Sequence, residues 1–227
     1  MRVYGCEIGR LRTLPDGGAA FCAAAGTAAE EYLRAEEAVP HAAALALLRC
    51  AWAREHPDEP MPEVARRPGG KPFFPARPEV RFSLTHAGAL VLCAMGAQEV
   101  GLDVEAYAGA ELTLTAAFTP EERAYVLRAE DAAAAFCRVW VRKESLVKQS
   151  GAGLGALRET ESVVTAQLRL RTRAEGRYLR ALTVPRGYAA AICLAQRERI
   201  EQRTVPLEAL VSEGRARRRP SAPRSRE

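Results

Sequence analysis

The segment Val100-Gly101-Leu102-Asp103-Val104-Glu105 constrains this chain more than any other. Apolar residues recur at every second position, the period of a β-strand. Successive strand side chains point to opposite faces, so Val100, Leu102 and Val104 pack on one side while Asp103 and Glu105 project from the other. Two carboxylates this close repel each other unless a proton or a cation intervenes. An all-oxygen ligand set suits Mg²⁺ or Mn²⁺. The solvated outer face of an edge strand would show the same letters, so the pattern needs a partner before it means a site.

Residues 136–148 offer that partner. Helical spacing places Phe136, Trp140 and Val147 on one stripe, with Glu144 and Lys148 four apart along its border. Lys143 falls inside the stripe, where a desolvated charge is costly, and a broken local rule marks a candidate functional position. Plainer accounts stand beside it. Trp140 reads as core, Lys143 can snorkel, and Glu144–Lys148 can be a surface pair worth about 0.3 kcal/mol.

Gly69-Gly70-Lys71-Pro72 invites a phosphate-loop reading, but Pro72 stands where that motif requires Ser or Thr and its first glycine is missing. A Walker-type NTPase is rejected. Lys71 beside a rigid turn can still be a positioned phosphate contact. His86, in Leu84-Thr85-His86-Ala87-Gly88, reads in isolation as a structural histidine.

The surrounding chain reads as α+β. Helix is expected over 19–56 with a stop near Pro40, and a Pro-rich loop over 57–79. Strands are expected where Val80, Phe82 and Leu84 alternate, then over 89–95, around 100–105, and over 163–170, 177–184 and 188–195. Thr119-Pro120-Glu121-Glu122 opens a helix, and a longer one covers 131–149 up to Gly151. The stretch 84–94 faintly resembles 184–193, either by chance between two buried hairpins or because the chain forms two similar α/β subdomains in a pseudo-two-fold arrangement; the expected division is 1–100, 101–212, and a disordered basic tail over 213–227.

Charge and cysteine content narrow the class. The net charge is +5, yet 213–227 alone carries six arginines against Glu213 and Glu227, leaving +1 for the rest. A nucleic-acid binder is therefore not expected. No run nears the ~18 apolar residues of a membrane helix, and the N-terminus lacks a signal core. The six cysteines form no CxxC pair and several sit in apolar runs, which reads as buried thiols in a reducing cytoplasm.

Taken together, Gly70-Lys71-Pro72, Phe82-Ser83-Leu84-Thr85-His86, Val100 to Glu105, and Trp140-Val141-Arg142-Lys143-Glu144-Ser145-Leu146-Val147-Lys148 resemble the 4′-phosphopantetheinyl transferases. The resemblance is to the large pseudo-dimeric type acting on carrier proteins of peptide and polyketide synthases, enzymes of secondary metabolite biosynthesis. It implies transfer of the phosphopantetheine arm of coenzyme A to a carrier-protein serine, with release of 3′,5′-ADP and dependence on Mg²⁺ or Mn²⁺. By the same resemblance Asp103, Glu105 and Glu144 are metal ligands, and Glu144 and Lys148 are catalytic. Gly70, Lys71, Pro72, Thr85, His86, Lys143 and Lys148 are implied to hold coenzyme A.

The type is expected to be a cytoplasmic monomer whose partners are coenzyme A and acyl or peptidyl carrier proteins. Family members often carry basic residues in the first helix to meet the 3′-phosphate of coenzyme A. Here that position reads Ala38-Val39-Pro40-His41-Ala42, leaving His41 or Arg49 to substitute. The alternative function is a catalytically silent domain on the same fold that only binds carrier proteins.

Overall fold

A computed structural model describes residues 1–13 and 35–215 of the chain. Two four-stranded sheets carry it. The first runs in the order β10-β1-β5-β4, from Glu201–Thr204, Arg2–Glu7, Leu90–Gly96 and Arg81–Ala87. The second is the antiparallel order β6-β9-β8-β7, from Val100–Ala106, Tyr188–Leu194, Arg177–Ala181 and Arg173–Ala174. A small hairpin pairs β2 (Ala65–Arg66) with β3 (Pro72–Phe73) inside the Pro-rich stretch. Among the described residues the α-helices are α1 (Ala35–Glu55), α2 (Pro120–Leu127), α3 (Ala132–Ser150) and α4 (Leu207–Arg215).

Alternation along the strands builds the layers. On β5, Val91, Cys93 and Met95 pack towards α1 with Tyr4, Leu47, Trp52 and Phe82. Its Leu90, Leu92 and Ala94 face the other way, against Val100, Leu102, Val104 and Ile192 of the second sheet. Beyond that sheet, Ala191, Cys193 and Leu179 meet Val139 and Leu146 of α3. Both sheets are therefore covered on both faces, helix–sheet–sheet–helix, and the expected α+β class holds.

The two sheets also meet edge to edge. The Ser83 hydroxyl accepts Leu102 N–H at 3.1 Å and the Thr85 hydroxyl accepts Val104 N–H at 3.3 Å. Side chains of β4 thus satisfy edge donors of β6 that a continuous ladder would otherwise take. Turns flank the long strands alike, with Gly88 (φ +53°) between β4 and β5 and Gly187 (φ +89°) between β8 and β9.

Several local expectations change. The helix does not stop near Pro40 but runs through it, because Val39, Ala42, Ala43, Ala46 and Leu47 bury around it and outweigh the one lost backbone bond. Residues 19–34 of that expected helix lie outside the described residues. Over 163–170 only Val164 and Leu170 pair, since the chain reverses at once through Thr165 N–H to the Arg169 carbonyl and Leu168 at φ +55°.

Residues 201–212, expected in the second half, return to the first sheet. There β10 covers the β1 edge in parallel register, and Val205 and Leu210 complete the α1 core. The segment expected as a tail begins inside α4, and 216–227 lie outside the described residues. Cys6, Cys50, Cys93, Cys137 and Cys193 are buried and unbridged. Among the described residues no helix is long and apolar enough to cross a membrane.

Candidate functional site

The site exists because α3 can lie directly on β6. Gly101 makes this possible: a Cβ there would stand 1.9 Å from the Ser145 carbonyl oxygen and 2.4 Å from Gln149 N. Backbone against backbone, the helix turn bearing Glu144 and Lys148 is held over the strand face bearing Asp103 and Glu105. Asp131 caps α3 at one end through Ala134 N–H, and Gly151, left-handed at φ 74°, closes the other.

Asp103 is the centre of the cluster and is 2 % exposed. Its Oδ1 accepts from Lys148 Nζ at 2.5 Å and from the Thr85 hydroxyl at 3.1 Å. Its buried Oδ2 has no partner among the described residues. Lys148 Nζ also lies 3.5 Å from Glu144 Oε2, so one ammonium is shared by two carboxylates.

Burial and then the charge of Asp103 push Glu105 up to about 8. Burial raises the Asp103 carboxyl against the opposing pull of Lys148 and the Thr85 hydrogen bond, and burial with Asp103 raises Glu144. Burial alone would lower Lys148, but Asp103 and Glu144 outweigh it and hold the ammonium above its usual range. Three acids crowd one cation.

A cleft opens over this cluster in two adjoining compartments. One, of about 340 Å³, is framed by Gly69, Gly70, Pro72, Val147, Gly151 and Gly153. The other, of about 380 Å³, is lined by His41, Arg66, Thr85, His86, Asp103 and Glu105. Glu144, Lys148, Pro72 and Leu84 line both. Gly69 lies so close to the end of α3 that a Cβ would sit 2.1 Å from the Gly151 carbonyl, which seats the loop against the helix.

The structure brings together Asp103, Glu105, Glu144, Lys148, Thr85, His86, Gly70 and Pro72 on this cleft. One expected contact, Lys143, lies away from the cleft, and a second, Lys71, has its ammonium engaged inside the protein. Lys143 is fully buried, its Nζ 3.3 Å from both oxygens of Glu122, a residue equally buried. Glu122 also accepts Val163 N–H and Thr119 N–H, each at 2.9 Å, and so closes the capping box of α2. Lys143 neither snorkels nor reaches a phosphate.

Lys71 lines the first compartment, but its ammonium donates to Glu99 Oε2 at 2.8 Å, the Val100 carbonyl at 3.1 Å and the Gln149 carbonyl at 3.0 Å. All three ammonium donors are thus engaged within the protein. Thr85 likewise spends its hydroxyl on Asp103 and Val104, which makes it a positioning residue. Trp140 stacks on Phe136 at 5.5 Å, as core. Arg49 lines neither compartment. Sequence reasoning missed Arg66, whose signal was only a basic residue two places before a Pro-Gly-Gly turn.

Residues 99–193 match the family model of the 4′-phosphopantetheinyl transferase superfamily. The chain is similar to the 4′-phosphopantetheinyl transferase Sfp of Bacillus subtilis, 31 % identical over 134 residues that cover 56 % of this chain and 60 % of that protein. It is also similar to the 4′-phosphopantetheinyl transferase AcpT of Salmonella typhimurium, 35 % identical over 117 residues covering 48 % of this chain and 60 % of that one. AcpT of Escherichia coli K12 is 31 % identical over 121 residues, covering 50 % of this chain and 61 % of its own length. The match thus spans about three-fifths of these relatives, at 60–61 %. The strand with paired acids and the helix laid on it fall within the matched stretch, and over that stretch the chain is similar to the 4′-phosphopantetheinyl transferase superfamily.

Proposed function

We propose that this protein transfers the 4′-phosphopantetheine arm of coenzyme A to a serine hydroxyl of an apo carrier protein and releases 3′,5′-ADP. The observation that carries this is Asp103: a buried carboxylate with one oxygen held by Lys148 and Thr85 and the other unpartnered, at a cleft it shares with Glu105 and Glu144. Relatives named as transferases of this arm support the reaction class.

As placed, no three Asp, Glu, His or Cys side chains among the described residues gather at one point, since the Lys148 ammonium stands between Asp103 and Glu144. The donors nonetheless fit a hard divalent cation, being carboxylate oxygens only, with Asp103 Oδ2 lacking a partner. Asp103, Glu105 and Glu144 would hold Mg²⁺, or Mn²⁺ in its place. Such an ion supplies positive charge to the pyrophosphate as its bond breaks.

In the proposed step the serine Oγ bonds to the β-phosphorus of coenzyme A. The bond from that phosphorus to the bridging oxygen breaks, and the bridging oxygen leaves on 3′,5′-ADP. Glu144, its proton affinity raised by burial and by Asp103, takes the serine proton. Lys148 sets an ammonium at the junction of both compartments, where it offsets charge gathering on the departing phosphate. Gly70, Pro72 and His86 frame the nucleotide end. The apolar layer already shared by the two sheets fits a monomer acting on a separate carrier.

Incubation with apo carrier protein, coenzyme A and Mg²⁺ should raise the carrier's intact mass by one phosphopantetheine arm. Absence of that rise with several carriers, in both Mg²⁺ and Mn²⁺, would overturn the reading in favour of a silent carrier-binding domain.

A further inference from the structure

A second hollow lies away from the cleft, on the other face of the second sheet. Antiparallel partners in register share a face: Arg173, Tyr178 and Leu194 form one such row, Arg180 and Ile192 the next. Ile192 and Leu194 pack towards the first sheet. Ala191 and Cys193, which alternate with them, face α3 instead, and Ala191 is the register partner of Asp103. Arg173 and Arg180 therefore stand on the opposite face of the sheet from Asp103. Along the first row Leu194 is buried, Tyr178 half-buried and Arg173 exposed, so the first sheet stops short of β8 and β7. The hollow left there has a volume of about 670 Å³, more than either compartment of the cleft. Arg197 and Ile200, from the segment after β9, also line it.

Its charge is unbalanced. Arg173, Arg180 and Arg197 are exposed, and none is ion-paired among the described residues. Acids nearby are already engaged. Glu161 pairs with Arg171 at 2.9 Å and Glu175 with Arg177 at 2.5 Å. Glu198, which lines the hollow, pairs with the Met1 ammonium and accepts from Gln98 Nε2 at 2.7 Å. Arg173 lies over the Tyr178 ring, 4.5 Å from its centroid, which holds the guanidinium down on the sheet.

Three cations without a counter-charge fit an anionic partner, and spacing narrows its kind. Arg173 and Arg180 sit on a cross-strand diagonal, where side chains stand about 7–8 Å apart. Alternate side chains of an extended chain repeat at nearly that distance, about 6.6 Å. Beside them, β7 pairs only with Arg177 and Tyr178, so the β8 edge runs on to Ala181 with no strand next to it among the described residues. An extended segment can be added at such an edge. A single-stranded nucleic acid would need free ring faces for its bases, and Tyr178, the aromatic residue of the lining, already has Arg173 over one. We propose that this hollow docks an extended segment of a partner protein with acidic residues at alternate positions, held by Arg173, Arg180 and Arg197.

The test is fluorescence anisotropy of labelled Glu-Thr-Glu-Thr-Glu-Thr titrated with the full chain at low salt. Gln-Thr-Gln-Thr-Gln-Thr and a short oligothymidine are the comparison probes. The Glu peptide should bind about tenfold tighter than the Gln peptide, or more. Arg180→Glu and Arg197→Glu, on separate elements, should each weaken it about fivefold, and together about twentyfold. The arginines of 217–226 are present in every variant, so the ratio to wild type reads the hollow alone. Coenzyme A affinity should stay within about twofold in the double variant, because the hollow and the cleft lie on opposite faces.

No measurable binding of the Glu peptide would overturn the proposal, as would equal binding of the two peptides or of wild type and double variant. Oligothymidine that binds more tightly than the Glu peptide, and weakens in the same variants, would give the hollow to nucleic acid instead. A matching loss of coenzyme A affinity would show that the substitutions disturb the cleft, and the separate site would fall.

Discussion

Helix α3 carries two lysine–carboxylate clusters one residue apart in sequence, and they are built to opposite rules. Lys143 and Glu122 are both sealed, and Glu122 receives two backbone N–H bonds besides the ammonium. Nothing in that pair is left over. Asp103 and Glu144 share one ammonium, Lys148, whose side chain stays 31 % exposed, Glu105 adds a third acid to the same cleft, and an acidic oxygen of Asp103 has no partner among the described residues. A buried charge with every partner present fixes the fold; a surplus of one sign with an orphaned oxygen is an arrangement that a bound cation would complete.

Asp103→Ala should show the largest effect. Transfer measured by intact carrier mass is expected to fall by about four orders of magnitude, several kcal/mol of barrier. The thermal midpoint should hold or rise, because one crowded carboxylate is gone. Near-normal transfer, or a large loss of stability, would place Asp103 with the sealed pair.

Glu122→Gln probes the other rule. It leaves Lys143 charged and buried, which should cost about 3–5 kcal/mol in urea unfolding. Adding Lys143→Met should recover much of that loss, as coupled partners do. If the single variant is as stable as wild type, or the double variant recovers nothing, the pair does not fix α2 on α3 as its geometry indicates.

This contrast also shows where sequence reasoning reached its limit. Alternation at 100–105 and the cap at Thr119 each express a local rule, strand period and helix capping, and both appear in the structure. Lys143 broke a local rule just as visibly, but a single sequence does not say whether its partner is a ligand or Glu122, twenty-one positions earlier. Lys71 was invisible for the same reason, since its acceptors at Glu99, Val100 and Gln149 are set by tertiary packing. The return of 201–212 to the first sheet depends on an open β1 edge, which exists only once the sheet has formed.

Gly101→Ala tests how the two clusters came to share a helix. The added methyl would press on the Ser145 carbonyl, so the helix itself must shift. The expected cost is about 3 kcal/mol. Transfer should fall further than stability explains, because Glu144 and Lys148 move away from Asp103 while the Glu122–Lys143 pair, on another side of α3, tolerates the shift. Gly155→Ala, where a Cβ meets nothing within 4 Å, should leave both unchanged and serves as the control.

The smallest effect belongs to the seam between β4 and β6, where two hydroxyls do one shared job and one of them does a second. Ser83→Ala and Thr85→Val each remove the acceptor for a buried strand N–H, at Leu102 and Val104 respectively, and each should cost about 1–2 kcal/mol. Only Thr85 also donates to Asp103 Oδ1. Thr85→Val should therefore lower transfer several-fold beyond its stability cost, Ser83→Ala should not, and Thr85→Ser should restore the rate because it keeps the hydroxyl. Equal rates in Ser83→Ala and Thr85→Val at matched stability would show that Lys148 alone orients Asp103 and that the seam belongs wholly to the fold.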